Sequence, residues 1–395
     1  MPALADYSWL VSQDAIPWLD QASRQDANLA TLIKQLRRHL TAAQTHLILE
    51  QVALRESARE KFSQVERMFF TRRGMEQATD QWIAAYKASR FPPQQPAADL
   101  CCGIGGDLAA LVTRGPCTAV DADEVCTLFA RHNCPEATVL HESARPSQVT
   151  DTAAWHIDPD RRSSGRRTTR IESFAPSLDD INALLAANPH AAIKLAPATR
   201  IPEPWRPHVE SEWIGSRGEC RQQVAWFGSL ARHPGCHCAT IVFSDGASPA
   251  TFVGDPFQAI EVAASIGRYV YEPQATVIAA RLSGSLAARY GLLAVERDIA
   301  YLTGDQALDE PLLSRFEVME VLPFDRKRVK SLMRSRNISR LEVKKRGVDI
   351  DPLSLQKELH STGEDCATLL ITRHAGAVVA IVAQRPCTVP RTETL

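Results

Sequence analysis

The sequence predicts an α/β protein built on a doubly wound parallel sheet, with a helical region before it and a small α+β module after it. Three observations lead there. From Ala97 onward, short apolar runs alternate with amphipathic stretches. The segment before them is helical in period and poor in Gly and Pro. A second, tighter strand–helix pattern starts at Phe316. At 395 residues the chain has room for two or three domains. Apolar residues make up 45 % and charged residues 23 %, a balance that supports a buried core and excludes a disordered chain.

The elements follow in order. Residues 1–95 are expected to form an N-terminal helical domain. Its first twenty residues contain acids and lack a basic segment followed by an unbroken apolar run, which argues against a signal peptide. Leu29, Leu32, Ile33, Leu36, Leu40, Leu47, Val52 and Leu54 recur near three- and four-residue spacing, as one face of a helix requires. Phe91-Pro92-Pro93 and Pro96 end the block, since proline lacks the amide proton a helix needs.

Residues 96–250 are expected to form the sheet domain. AADLCC, CTAVDAD, ATVL, AAWHIDPD and AAIKLAP read as strands, with LAALVTR, EVCTLFARH and SLDDINALLAAN as the helices between them. Such alternation predicts βαβ units in a Rossmann-like arrangement. ATIVF, near 239–243, is expected to close the unit. Residues 251–310 read as a connecting region, in which VYEPQATVIAARLSGSLAARYG is a strand end followed by a helix. Residues 311–390 carry FEVMEVLPF, DRKRVKSLMRSRN, SRLEVKKRG, PLSLQKELHS, CATLLITRH and GAVVAIVAQR, a βαβαββ order.

The formal net charge is −1, so the molecule as a whole is not a polycation, and any nucleic-acid contact must rest on local clusters. The ten cysteines include no CxxC pair. Cys236-His237-Cys238 lacks further ligands at metal-site spacing, so neither a disulfide framework nor a metal is expected, and a reducing, cytoplasmic setting is the simpler reading. No apolar stretch reaches the roughly 18–20 residues that span a bilayer.

The strongest chemical signal is Asp99-Leu-Cys-Cys-Gly-Ile-Gly-Gly-Asp107, where a predicted strand meets a predicted helix. Glycines there let the backbone turn sharply and approach a ligand. About twenty residues on, Asp121 ends the next strand, where an acid accepts hydrogen bonds from ribose hydroxyls. A nicotinamide site would need a third glycine three residues after Gly105, but Leu108 stands there. The carboxylate of Asp99, ahead of the bend, suits a cationic ligand better than a pyrophosphate. S-adenosylmethionine, with its sulfonium and ammonium groups and no phosphate, meets that condition.

His156-Ile-Asp158-Pro159-Asp160-Arg161-Arg162 ends the fourth predicted strand, where the sheet's carboxyl edge faces a ligand crevice. Asp158 and Pro159 are the catalytic candidates: Asp158 either orients the acceptor and takes its proton or forms an ordinary Asp-Pro turn. Amine methylases of nucleic acids often carry an aromatic ring after such a pair; here Asp160 and Arg161 follow instead. Arg161, Arg162, Arg166 and Arg167 either clamp acceptor phosphates or form a solvated loop. Lys194, at the end of IKLAP, either touches substrate or pairs with a carboxylate. Cys101 and Cys102 are expected to pack as small apolar groups, since a nucleophilic thiol needs a depressed pKa. Between 326 and 346 ten Lys and Arg stand against Glu342 alone, among them Lys344, Lys345 and Arg346. The alternatives are a backbone-binding surface for RNA and a solvated helix face.

DLCCGIGGD followed by AVDAD resembles the cofactor motif of class I methyltransferases and its downstream acid. FFTRRGMEQATDQWIAAYKASRF, HIDPDRRSSGRR, IKLAPAT, GECRQQVAWFG, YVYEPQATVIAARL and RFEVMEVLPFDRKRVKSLMRSRNISRLEVKKRGVDID extend the likeness from about residue 68 to 385. Throughout, the chain resembles bacterial class I S-adenosylmethionine-dependent methyltransferases that end in a THUMP-like domain. The resemblance implies a Rossmann-like methyltransferase sheet with S-adenosyl-L-methionine as cofactor. It places Gly103, Gly105 and Gly106 in the cofactor turn, Asp99 near the methionine end and Asp121 at the ribose, with Cys101, Asp107 and Ala122 beside them. Glu142 and Ser143 stand where related enzymes often hold the adenine amine with an acid. THUMP domains serve RNA-modifying enzymes, so the resemblance points to tRNA or rRNA as acceptor. A small-molecule or protein methyltransferase, and a non-catalytic RNA-binding protein with a degenerate core, are the other readings.

Overall fold

A computed structural model of the protein describes residues 2–24, 28–161 and 169–385. The chain folds as two compact units. The first holds the residues up to Arg217 with Arg221–Gly235 and Val242–Pro249; the second holds Gly218–Cys220, Cys236–Ile241 and the chain from Ala250 on.

The first unit begins with six helices: α1 (Leu4–Leu10), α2 (Ile16–Arg24), α3 (Leu29–Leu36), α4 (Ala42–Ala58), α5 (Arg72–Gln77) and α6 (Gln81–Ala88). Helix therefore starts earlier than the leucine spacing alone indicates. Side-chain caps fix the ends: Thr41 and Gln44 form a capping box on α4, and Asp80 accepts the Ile83 amide (2.9 Å) at the start of α6. After them come β1 (Ala97–Leu100), α7 (Leu108–Leu111), β2 (Cys117–Asp121), α8 (Glu124–Asn133), β3 (Thr138–His141), β4 (Ala154–Ile157), α9 (Leu178–Ala187), β5 (Ala191–Leu195), β6 (Glu210–Ser216) and β7 (Glu219–Trp226).

The strands of this unit stand in the order β3-β2-β1-β4-β5-β7-β6 within a nine-stranded sheet. Strands β1 to β5 pair in parallel, and β7 runs antiparallel to β5. The order reverses between β1 and β4, and an α/β sheet opens its ligand crevice at such a switch point, beyond the strands' carboxyl ends. Apolar strand residues pack into two buried clusters, one with Ile83, Leu108 and Trp226, the other with Trp155, Ile157 and Ile181.

Two expectations are corrected here. The boundary near residue 95 does not separate two bodies, because Ile104 and Phe129 share one core with Leu36, Leu47, Phe62 and Phe70. The sheet also carries two strands that were not expected, β6 and β7, ahead of ATIVF. Their polar texture hid them: Glu210 and Glu212 are fully buried because Arg90 binds both, at 2.7 and 3.0 Å. A buried charge is tolerated only with such a partner.

The second unit opens with β8 (His237–Val242), which contains ATIVF's first residues and pairs antiparallel with β9 (Ala250–Gly254). Then come β10 (Tyr269–Pro273), α10 (Ala275–Ala279), α11 (Ser283–Tyr290), β11 (Leu293–Ala294), β12 (Leu302–Gly304), β13 (Leu313–Pro323), α12 (Arg326–Ser335), β14 (Ile338–Lys345), α13 (Pro352–Leu359), β15 (Asp365–His374) and β16 (Ala377–Gln384). Seven of these strands form one sheet, β11-β12-β10-β13-β16-β15-β14. Residues 251–310 are thus not a connector: β10 lies between β12 and β13 in that sheet. The βαβαββ order from β13 to β16 matches the expectation element by element, with Val329, Met333, Leu355 and Leu359 of its helices buried against the sheet.

Candidate active site

At the switch point the first unit has a cleft of about 910 Å³. Its wall gathers Asp99, Cys101, Gly103, Gly106 and Asp107 from the β1–α7 bend, Asp121 and Ala122 after β2, Glu142 and Ser143 after β3, Asp158, Pro159 and Arg161 after β4, and Lys194 of β5. Residues far apart in sequence meet because every parallel strand ends on the same edge.

The bend is built around one carboxylate. Asp121 Oδ2 accepts the Gly103 amide and Oδ1 the Asp123 amide, both at 2.8 Å. Gly103 has φ +56, and a Cβ there would meet nothing within 4 Å, so this backbone faces open space. Gly105 has φ +90, but its missing Cβ faces Cys134 Sγ (3.0 Å) and Ala130 of α8, and the residue does not line the cleft. It serves close packing, not ligand contact. Burial raises the Asp121 carboxyl above its ordinary range, and the two amides partly offset this. Burial, reinforced by Asp121 and Asp158, pushes the Cys101 thiol well up, and that of Cys102 also rises on burial, so neither is a ready thiolate.

Behind the bend lies a buried polar chain. His156 Nδ1 lies 2.7 Å from Asp99 Oδ1, and its Nε2 lies 3.1 Å from Lys87 Nζ of α6. Lys87 also binds Asp107 Oδ1 at 2.6 Å, and Thr79 donates to Asp107 Oδ2 at 2.7 Å. Asp107, expected among the cofactor contacts, is thus engaged by the protein's own cation and hydroxyl. Burial opposes its ionisation, but Lys87, His156 and Lys194 overcome it and hold its carboxyl far below the usual range. Burial pushes the Asp99 carboxyl up, and His156 restores only part of the shift. Asp99 Oδ2 has no hydrogen-bond partner among the described residues.

On the acceptor side, Lys194 donates to Asp158 Oδ2 at 2.6 Å. Burial works against the lysine's charge, but Asp158 and Asp107 outweigh it and raise its pKa. Of the two readings of Lys194, pairing with a carboxylate is the one observed. Backbone hydrogen bonds between Asp160 and Ala175 (2.8 and 3.0 Å) tie down the segment after β4, and Arg73 of α5 binds the Asp160 carboxylate at 2.6 Å. The aromatic residue of that segment, Phe174, is buried in the core and does not line the cleft; Tyr7 of α1 is the only Tyr, Phe or Trp of the wall among the described residues. Glu142 is engaged by Arg145 and by Gln148 Nε2 (3.0 Å). Arg162, Arg166 and Arg167 lie outside the described residues. Sequence reasoning missed Lys87, Thr79, Arg73 and His156. The available signal was a lysine in the otherwise apolar face of α6 and a histidine inside an apolar strand.

In the second unit the basic cluster divides. Glu272 of β10 binds both Lys344 (2.6 Å) and Arg346 (3.1 Å), which corrects their expected role as substrate contacts. Glu358 of α13 binds Arg326 and takes Lys330 on its carbonyl. Lys327, Arg328 and Arg334 of α12, and Lys345, stay exposed and make no ion pair among the described residues.

Residues 313–385 match the family model described as THUMP domain-like. Over 335 residues the chain is 30 % identical to an uncharacterised S-adenosylmethionine-dependent methyltransferase of Mycobacterium tuberculosis, covering 82 % of this chain and 89 % of that one, in two strains alike. A Porphyromonas gingivalis W83 crystal structure described as a methyltransferase superposes with a TM-score of 0.77 over 94 % of this chain and 97 % of that one, at 19 % identity, and shares its fold. Among the described residues no three metal-type ligands converge, and no helix is long and apolar enough to cross a membrane.

Proposed function

The chain belongs to the S-adenosylmethionine-dependent methyltransferases, and from that membership we propose that its acceptor is RNA, either tRNA or rRNA. The observation that carries this reading is the exposed cationic face of α12, where Lys327, Arg328 and Arg334 are left without carboxylate partners among the described residues. Cations free of internal partners are the ones that displace counterions from a phosphate backbone. The THUMP-like match over 313–385 supports the same reading.

S-adenosylmethionine, when bound, supplies a methyl group on a cationic sulfur, open to in-line attack by a nucleophile. The cleft suits that ligand: its bend is flanked by carboxylates, and one buried oxygen, Asp99 Oδ2, lacks a partner among the described residues. We assign Asp99 to the ammonium end, Asp121 to the ribose hydroxyls and the Gly103 bend to close backbone approach. Ala122 and Ser143 border the adenine side, since Glu142 is already engaged. Asp158 takes the acceptor: Lys194 occupies Oδ2, and Oδ1 accepts no hydrogen bond among the described residues, so it is open to an acceptor N–H or O–H. Holding that group in line contributes much of the catalysis of such a displacement.

A protein or small-molecule acceptor is the second reading. It is favoured by the cleft wall, where Asp107, Asp121, Asp123, Asp158 and Asp160 outnumber Arg73, Arg161 and Lys194 among the described residues. Binding of tRNA and rRNA fragments across a salt series separates the two. The RNA reading expects a steep log–log slope that flattens by about 2 to 3 in the triple variant Lys327→Glu, Arg328→Glu, Arg334→Glu. A flat wild-type response, or an unchanged slope in the variant, contradicts it.

A further inference from the structure

Asp99 sits on β1, lines the cleft and is fully buried, yet only one of its two carboxylate oxygens has a partner among the described residues. That partner is His156 of β4, whose Nδ1 lies 2.7 Å from Oδ1. The other face of the imidazole meets Lys87 Nζ at 3.1 Å. An ammonium offers donors only, so His156 Nε2 accepts and Nδ1 carries the proton that is donated to Asp99. Lys87 is itself fixed by Asp107 at 2.6 Å, and Asp107 by Thr79 at 2.7 Å. The chain Thr79–Asp107–Lys87–His156–Asp99 is buried from end to end and terminates at one unpartnered oxygen of a residue that lines the cofactor cleft.

We propose that Lys87 and His156 are positioning residues for the cofactor: by fixing one imidazole tautomer they lock the Asp99 carboxylate with Oδ2 turned to receive the ammonium of the methionine moiety. The arrangement has a physical purpose. A lone buried carboxylate is free to rotate and resists ionisation. One fixed donor settles its rotamer and supports its charge without filling the second oxygen. The inference rests on the identity of the cofactor and is independent of the RNA reading. It also assigns α6, part of the N-terminal helices, a share in cofactor recognition.

The test compares two ligands by calorimetry. S-adenosylhomocysteine carries the amino-acid end, and 5′-methylthioadenosine lacks it. His156→Phe keeps a ring of similar size and removes the donor. The expected result is a loss of affinity for S-adenosylhomocysteine of about tenfold or more, with 5′-methylthioadenosine unchanged within twofold. Asp99→Asn gives the same selective loss, and adding His156→Phe to it costs nothing further, because the histidine acts through the aspartate. Equal losses for both ligands, additive losses, or no loss overturn the proposal. Should the phenylalanine variant fail to fold, nitrogen-15 spectra of the wild-type imidazole decide: an Nδ1-protonated ring is expected, and an Nε2-protonated or doubly protonated ring overturns it.

Discussion

Single residues set the chemistry of the cleft, and several were readable in advance. Asp99, Gly103 and Asp121 stand where the spacing of the bend put them, since a tight turn between strand and helix fixes its neighbours' positions locally. Gly105 was readable as a glycine but not for its cause, because Cys134 and Ala130, which crowd it, lie on another helix. A side chain there meets both an unfavourable φ and a 3.0 Å contact with Cys134 Sγ, so Gly105→Ala is expected to destabilise the protein by about 1–3 kcal/mol in urea denaturation. An unchanged midpoint would contradict this. The Asp99 carboxyl titrates above its ordinary range because it is buried. Its ionised form is the one that binds an ammonium, so affinity for S-adenosylhomocysteine should fall on acidification through that raised pKa, and the Asp99→Asn variant should lose this dependence. Calorimetry across pH checks both.

Elements place those residues, and here legibility depended on pattern. Strands β1, β4 and β5 were visible because parallel strands buried on both faces read as apolar runs. Strands β6 and β7 were not, because Glu210, Glu212, Gln222 and Gln223 are buried rather than exposed, the two glutamates through pairing with Arg90. Lys344 and Arg346 were misread for the same reason in reverse: Glu272, the partner that holds them, lies on a strand more than seventy residues earlier. Helix α5, which carries Arg73 to the cleft, ends on Lys61, whose Nζ donates to the carbonyls of Met75, Glu76 and Ala78 at 2.8, 2.9 and 3.0 Å. Lys61→Met leaves these without a donor and is expected to cost about 1–3 kcal/mol. Burial lowers the Lys61 pKa to about 8 from 10.5. Between those values the unfolded chain holds the extra proton, so wild-type stability should rise with pH relative to the methionine variant. A difference between the two proteins that stays constant across that window would refute the assignment.

For the molecule as a whole, the alternation of strands and helices and the methyltransferase cofactor were legible, and the boundary expected at 250 falls where the second unit's main segment begins, but the boundaries expected at 95 and 310 do not divide units. The expected boundaries at 95 and 310 follow changes in composition. The folded units instead follow shared cores, which join α1–α6 to the first sheet and β10 and β12 to the second. Hydrogen exchange should reflect this division. S-adenosylhomocysteine is expected to protect the β1–α7 and β2–α8 bends and leave α12 unchanged, whereas RNA is expected to protect α12. We propose that the cleft of the first unit moves a methyl group onto RNA. The most direct test is incubation of cellular RNA, taken from cells lacking the protein, with the enzyme and S-adenosylmethionine bearing a deuterated methyl group, followed by mass spectrometry of the nucleosides. One nucleoside is expected to gain the labelled methyl with the wild type and none with Asp158→Ala. Label found in protein or small molecules, with every nucleoside unlabelled, would contradict it.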